Sequence, residues 1–494
     1  PPPPPAPPPP DTDTGDTSSA ASDVYKRQIL DGVTENTDAD SRRGATLRLL
    51  ARLARGESEG ALQDATALLE RWPDDPRLRV LVGSIQNSAG LSTEAVANLE
   101  EAIELSPEDV NVYIRLARIL AAEGDLVGAR SEAMRALDIA PGDARVLTEL
   151  AIISALKEDR ANTRKWLEQA RSADPAAIPP RIMLARLHLS NKEFDAASKV
   201  AQELIEINDS NAEGHNIYGL ALDGKGENDL AIESHRRAVQ ISNENPVYRL
   251  NLARSLADHD QVDDALDVLN RTSQFAPNHI PTAVMRVSLF LEVGETDSAL
   301  DVAGNLEDMY PQSEVPKALL AEVFVARKEF AEAVDAYDAS LSIKQTPAVA
   351  FRAHQVRELS GIGDAKQPLI AYLESRPFDA GVRMMLAQSY QTEGLDEAAI
   401  AEYEVVQKSA PDNAVVLNNL AWSYQQIGDP RARELAEKAF SLDPENSFIA
   451  DTYAWILIGE GAVDEGVTIL RKAINSGKVT PVSYTHLRAH ETIL

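Results

Sequence analysis

The chain contains no cysteine among its 494 residues, which excludes disulfides, cysteine–zinc sites and thiol catalysis. Aromatic residues are sparse at 5%. The core must therefore come from smaller side chains, and the 44% of apolar residues suffices for one. No apolar run approaches the roughly 20 residues that a membrane helix needs, so no membrane span is expected in this sequence. Positive charge is also short: 48 Lys and Arg face 78 Asp and Glu, a net charge of −30. That balance argues against nucleic acid, whose binding relies on cationic phosphate contacts, and against an anionic membrane surface. The eight histidines lie scattered. Two of them, His486 and His490, fall in the C-terminal tail. There is no HExxH, no metal-spaced cluster and no Gly-rich phosphate loop. Neither cofactor, metal nor catalytic residue is expected, and the histidines read as packed or surface side chains. The paired acids Asp263 and Asp264 read as a solvated helix face.

What the chain does have is a period of 34 residues. Pro73, Pro107, Pro141 and Pro175 are each 34 apart. Asp209 and Asn243 hold the next two slots, Pro277 and Pro311 resume the series, and Pro377, Pro411 and Pro444 continue it after small slips. Ten residues after the slot stands a small residue, as at Gly83, Ala117, Ala151, Ala185, Gly219 and Ala253. A large apolar residue usually precedes it: Leu116, Leu150, Leu184, Leu252, Leu386, Leu420. A second small residue follows twelve later, at Ala95, Ala129, Ala197, Ala231, Ala265, Ala299, Ala333 and Ala399, and a turn glycine often separates the two. Two antiparallel helices pack closely only where side chains are short. The glycine ends the first helix in a left-handed turn, the proline stops the second, and Asp109 and Asp143 can cap the next. Pro179, Pro281 and Pro316 fall in first turns, where a missing N–H costs little.

A helical period of 34 is the tetratricopeptide signature. It predicts an all-α solenoid, a right-handed superhelix of about thirteen helix-turn-helix units over residues 42–480. A solenoid is one quasi-one-dimensional unit, which overrides the domain count that length alone suggests. The unit at 348–379 is two residues short. Gln355 stands where a small residue is expected, and Gly361, Gly363 and Pro368 follow, so an irregularity is expected there.

The ends read differently. Residues 18–28, SSAASDVYKRQ, and 483–492, SYTHLRAHET, resemble frame translations of transposase-type sequencing adaptors. On that reading 1–41 is a disordered Pro-rich and adaptor-like segment, 481–494 is an adaptor-like tail, and the authentic stretch runs from about Ile29 to Val482. The native N-terminus is then missing, and with it any targeting signal.

In tetratricopeptide arrays the first helix of each pair lines the concave face. Counting the small residue as position eight, positions two, five, nine and twelve point inward. Position nine carries Arg118, Arg186 and Arg254. These form either a cationic stripe for acidic peptide segments or partners for acids on neighbouring helices. The two-carboxylate clamp of chaperone-binding tetratricopeptide domains is not matched, because its positions read Val80, Ile114, Thr148 and Ile182. Near the C-terminus, LNNLAW (417–422) and DTYAW (451–455) align Asn418, Trp422 and Gln425 on one helical face, with Asp451 and Trp455 one unit on. With Met384 and Gln388 they form a candidate peptide-docking patch. The alternative is that both tryptophans are core.

Residues 417–473, together with 179–208 and 378–422, resemble the PEP-CTERM system tetratricopeptide lipoproteins. DTYAW departs from that family's DTLGW-like form at Tyr453 and Ala454. The resemblance implies a bacterial envelope lipoprotein, periplasmic or outer-membrane, linked to exosortase sorting and exopolysaccharide production. It implies no catalytic residues. Two functions are therefore weighed. One is a non-catalytic scaffold holding a protein or peptide in its concave groove. The other is the regulatory arm of a larger enzyme, such as a glycosyltransferase, whose catalytic domain lies outside this sequence.

Overall fold

The computed structural model describes residues 46, 49–53 and 55–475. The terminal segments read above as adaptor-like lie outside the described residues. Every regular element among the described residues is helical. Contacts divide the chain into two units, meeting between Asn251 and Leu252.

In the first unit, second helices such as Ser92–Leu105, Leu126–Ile139 and Asn228–Ile241 alternate with first helices such as Val110–Ala122, Ala144–Leu156 and Ala212–Lys225. The second unit continues the pattern from Val262–Phe275 to Val463–Asn475. Within each unit, helices pack on the helices next to them in sequence, as expected of a repeat array.

The local chemistry behind this order repeats. Asp109 Oδ1 accepts from the Asn111 N–H at 3.0 Å, and Asp143 Oδ1 from the Arg145 N–H at 2.8 Å. Asn413 and Asn446 cap their own helices the same way. Each such cap removes an orphan donor and is worth about 1 kcal/mol. Gly90, Gly124, Gly226, Gly294, Gly394 and Gly428 all take positive φ, the left-handed stop their sequence slot requires. Four units lack that glycine, and there Glu158, Lys192, Asp260 and Lys328 adopt φ of 57–63° instead. The small slots are the places of closest approach. Ala117, Ala129, Ala151, Ala185, Ala231 and Ala399 are fully buried.

The short unit is irregular in its second helix. Pro347–Ser360 has ordinary length, but after Gly361 and Gly363, both at positive φ, the partner Gln367–Ser375 has only nine residues. The expectation about Gln355 is corrected. The eighth position of that first helix belongs to His354, which is buried, whereas Gln355 is exposed. The frame slips by one because the connection ahead of this helix, residues 344–346, is one residue shorter than its counterparts such as 310–313. The His354 Nδ1 lies 2.9 Å from the Ala365 carbonyl oxygen, tying the imidazole to the loop.

Candidate functional site

Successive first helices are cross-linked along their exposed face by polar side chains. In the first unit Arg118 Nε lies 2.6 Å from Glu149 Oε2, on the next first helix. Arg186 reaches Glu213 Oε1 at 2.8 Å, and the Tyr248 hydroxyl donates to the other Glu213 oxygen at 3.0 Å. Asn251 donates to Asn216 at 2.9 Å within the buried layer. Arg118 and Arg186 remain 61% and 64% exposed, yet each is engaged by a carboxylate. Arg254 belongs to the second unit. It is exposed, with no acidic partner among the described residues.

The carboxylates in these links are tuned by how many donors meet them. Glu149 is 1% exposed and has the Arg118 guanidinium alone, so burial pushes its pKa above the usual carboxylate value. In the second unit, burial pushes Glu322 the same way. The Arg352 guanidinium (Nε at 2.8 Å) and the Tyr337 hydroxyl (2.6 Å) outweigh it, and the net shift is downward. Two donors to one carboxylate hold its charged form against desolvation, where one does not.

The C-terminal patch lies on three first helices, Ala380–Thr392, Ala414–Gln426 and Ser447–Gly459. Gln391 Nε2 donates to Ser423 Oγ at 2.9 Å and binds the first helix to the second. Gln425 packs against Gly459, its Nε2 3.5 Å from where a Cβ there would stand, which sets the third beside them. Met384 is half-buried and packs on the local core, and Gln388 is exposed. Asn418 is 9% exposed, and its Oδ1 accepts no hydrogen bond among the described residues. Gln425, Asp451, Trp422 and Trp455 are half-buried. The large aromatics that are core here are the tyrosines Tyr403 and Tyr424, together with Tyr453. Burial pushes the Tyr403 hydroxyl up to about 12. The two tryptophans thus keep part of their rings at the surface.

His188, His215, His235 and His354 are buried, and His259 and His279 half-buried. His188 lies 2.5 Å from Glu193, which Arg164 also holds, and His235 is fully buried 3.0 Å from Asp223. No group of three metal-ligating side chains occurs among the described residues.

The sequence pattern missed one class of site. Three clefts open on the side of the second helices, each between two successive second helices and the first helix that separates them. Position seven of the first helix is leucine in seven units, buried at Leu116, Leu150, Leu184, Leu252, Leu386 and Leu420 and half-buried at Leu320. At the clefts it is Tyr218, Arg286 or Tyr453. A leucine fills the notch between the two second helices. At the clefts a longer, polar-tipped side chain stands there instead, half-buried at Tyr218 and Arg286 and buried at Tyr453. The hydrogen bond beneath also recurs: Gln202 donates to the Tyr218 hydroxyl at 2.9 Å, and 68 residues on Arg286 donates to Asn270 at 2.9 Å. The signal was present in the sequence as the long, polar-tipped Tyr218, Arg286 and Tyr453 among the breaks in the run of leucines before the small slot.

Two tetratricopeptide-repeat family models match the chain, one over residues 46–109 and the other over 87–153 and 157–220. The chain therefore carries tetratricopeptide repeats. It is 23% identical over 336 residues to cellulose synthase operon protein C of Pseudomonas fluorescens (strain SBW25), covering 62% of this chain. The match takes in only 26% of that protein's length. Among solved structures, a tetratricopeptide repeat protein from Parabacteroides merdae covers 50% of this chain and 98% of its own, at 14% identity and a TM-score of 0.40. PilF of Pseudomonas aeruginosa covers 43% and 97%, at 17% identity and a TM-score of 0.37.

Proposed function

We propose that this tetratricopeptide-repeat chain is a non-catalytic scaffold that docks a protein or peptide segment on its first-helix face. The repeat fold suits protein binding, and a fold of this kind typically serves as a scaffold. The observation that carries the site is the half-burial of Trp422 and Trp455 on adjoining first helices, beside the amides of Asn418 and Gln425. Large aromatics with polar neighbours are the usual energetic centres of protein interfaces. The setting we infer is bacterial exopolysaccharide assembly at the cell envelope. The cellulose-operon relative and the resemblance of residues 417–473 to envelope lipoproteins of the PEP-CTERM system both support it. Arg118 and Arg186, which offer acid-paired guanidiniums within the first unit, and Arg254, within the second, are proposed as further contact points, each on its own unit.

Because the match takes in about a quarter of the relative, the arm of a larger protein is the second reading. It predicts a catalytic domain beyond Val482 in the intact gene.

The test is Trp422→Ala, assayed by capture of partners from bacterial envelope extract beside a thermal melt. Truncating a hot-spot tryptophan costs about 2 kcal/mol or more, so capture should weaken at least about tenfold while helicity and melting hold. A variant that melts normally and retains every partner refutes the patch. A variant that melts early makes the ring part of the fold.

A further inference from the structure

The cleft at Arg286 differs from the other two in its chemistry. It encloses about 820 Å³ between the helices Val262–Phe275, Ile280–Glu292 and Thr296–Met309, a volume in the range of small-ligand sites. Arg286 is half-buried. Its Nε donates to Asn270 Oδ1, and its guanidinium carbon stands 5.9 Å from the Phe290 ring centre. No carboxylate comes within ion-pair distance of it among the described residues.

Other deeply placed arginines in this chain are neutralised. Arg357, 7% exposed, holds Asp338 through both carboxylate oxygens at 2.6 and 2.7 Å, and Arg181, 6% exposed, holds Glu203 at 3.3 Å. A desolvated cation without an anion is unfavourable. Burial accordingly pushes the Arg286 guanidinium below its usual pKa. The residue also stands where seven other first helices place a leucine. It is engaged by the neutral Asn270 amide and the Phe290 ring, and a break in a local packing rule of this kind is where a functional position is expected.

We propose that this cleft is a second binding site, off the first-helix face, for a peptide segment in which an acidic side chain has a basic neighbour. Arg286 takes the carboxylate through the terminal guanidinium nitrogens that Asn270 leaves unused, in the fork geometry that suits carboxylates. The basic neighbour is set by Asp301 and Asp308, both exposed lining residues on the facing helix. They are seven residues apart, about 10 Å at the rise of a helix. An extended peptide advances about 3.3 Å per residue. A lysine close in sequence to the acid is the neighbour that these aspartates favour while the acid meets Arg286. The amides of Gln274 and Asn305 supply further polar partners. A polyanionic chain such as a polyuronate offers the same carboxylate but is opposed by these aspartates and by the net charge of −30.

The site is independent of the tryptophan patch and can fail without it. The experiment is titration calorimetry on the full chain with the capped peptide Gly-Lys-Glu-Lys-Gly, its Gly-Lys-Gln-Lys-Gly counterpart, and tetragalacturonate. The acidic peptide should bind. Arg286→Leu should weaken it at least about tenfold, the scale of a lost charge-assisted hydrogen bond, while Trp422→Ala leaves it unchanged. Because leucine fits this position elsewhere in the chain, Arg286→Leu should melt no earlier than the parent. Should it melt early, Arg286→Gln provides the same comparison. Asp301→Asn with Asp308→Asn should weaken the lysine-bearing peptide but not Gly-Ala-Glu-Ala-Gly. Equal binding of the glutamine peptide overturns the proposal, as does Arg286-independent binding or no binding by any peptide. Preferential binding of tetragalacturonate through Arg286 reassigns the cleft to a sugar acid and overturns it too.

Discussion

Gly219 offers the sharpest test of how tightly one unit is fitted. A methyl group there would meet the His235 ring, with Cε1, Nε2 and Nδ1 at 2.6, 2.7 and 2.8 Å. The ring cannot retreat easily. It is fully buried, and it lies 3.0 Å from an Asp223 carboxylate oxygen. Two effects oppose each other in Gly219→Ala. Alanine in a helix interior gains about 1 kcal/mol over glycine. Overpacking a filled site costs about 1–3 kcal/mol, and displacing the ring from Asp223 strands a buried imidazole for about 1–3 kcal/mol more. The clash wins, by about 1–5 kcal/mol net. His235→Ala removes the obstacle. It makes the pair resemble Ala185 with Ala201, both fully buried one unit earlier, so Gly219→Ala/His235→Ala should recover most of what Gly219→Ala loses. The assay is hydrogen exchange, because an array need not unfold in two states. Protection should fall chiefly in Ala212–Lys225 and Asn228–Ile241. A neutral or stabilising Gly219→Ala, or a double variant no better than the single, refutes the packing argument.

Two other predictions rest on the same structure. Lys192 stands in a glycine slot at φ 59°, where a side chain costs about 1–2 kcal/mol. Lys192→Gly should raise stability by about 0.5–1 kcal/mol after the entropy glycine adds to the unfolded chain, read as a higher urea midpoint. Glu149 has a folded pKa raised above 4.5, so its contribution is full below 4.5 and is lost as pH rises through the folded value. Glu149→Gln should therefore gain on the parent between pH 4.5 and pH 7 in paired urea melts. A glutamine variant that loses ground over that interval reverses the sign and rejects the reading.

The repeat itself was plain in the sequence because its slots are set by hard sterics. Short side chains mark the helix crossings, and the glycines mark turns that other residues adopt only under strain. The units with Glu158 or Lys192 in that slot keep the same geometry, so neighbouring packing imposed the turn where local chemistry did not. The partners of Arg118 and Arg186 were harder to read. Each acid lies 27–31 residues away on another helix, and only the assembled face shows which acid is within reach. The frame at His354 was misread by one residue because a shortened unit does not announce where its missing residues were lost. The half-exposure of Trp422 was also hidden, since a groove face and a core face show the same helical spacing. The cleft at Arg286 could have been seen, but attention to the small slot passed over its neighbour.

A chain of look-alike units faces a hazard of mistaken identity while it folds. Any second helix resembles the correct partner of any first helix, and misassembly is a characteristic failure of repeat proteins. The glycine–histidine fit at Gly219 and His235 counters that hazard. The imidazole would collide with the alanine found at the same crossing in Ala117, Ala151 or Ala185. Asp223, on the same helix as Gly219, completes the match. The Asn216–Asn251 bridge adds a second mark next door. Such mismatched pairs act as address labels. They forbid exchange between neighbours more than they strengthen any one contact, and a consensus array built wholly from alanine crossings would lack them.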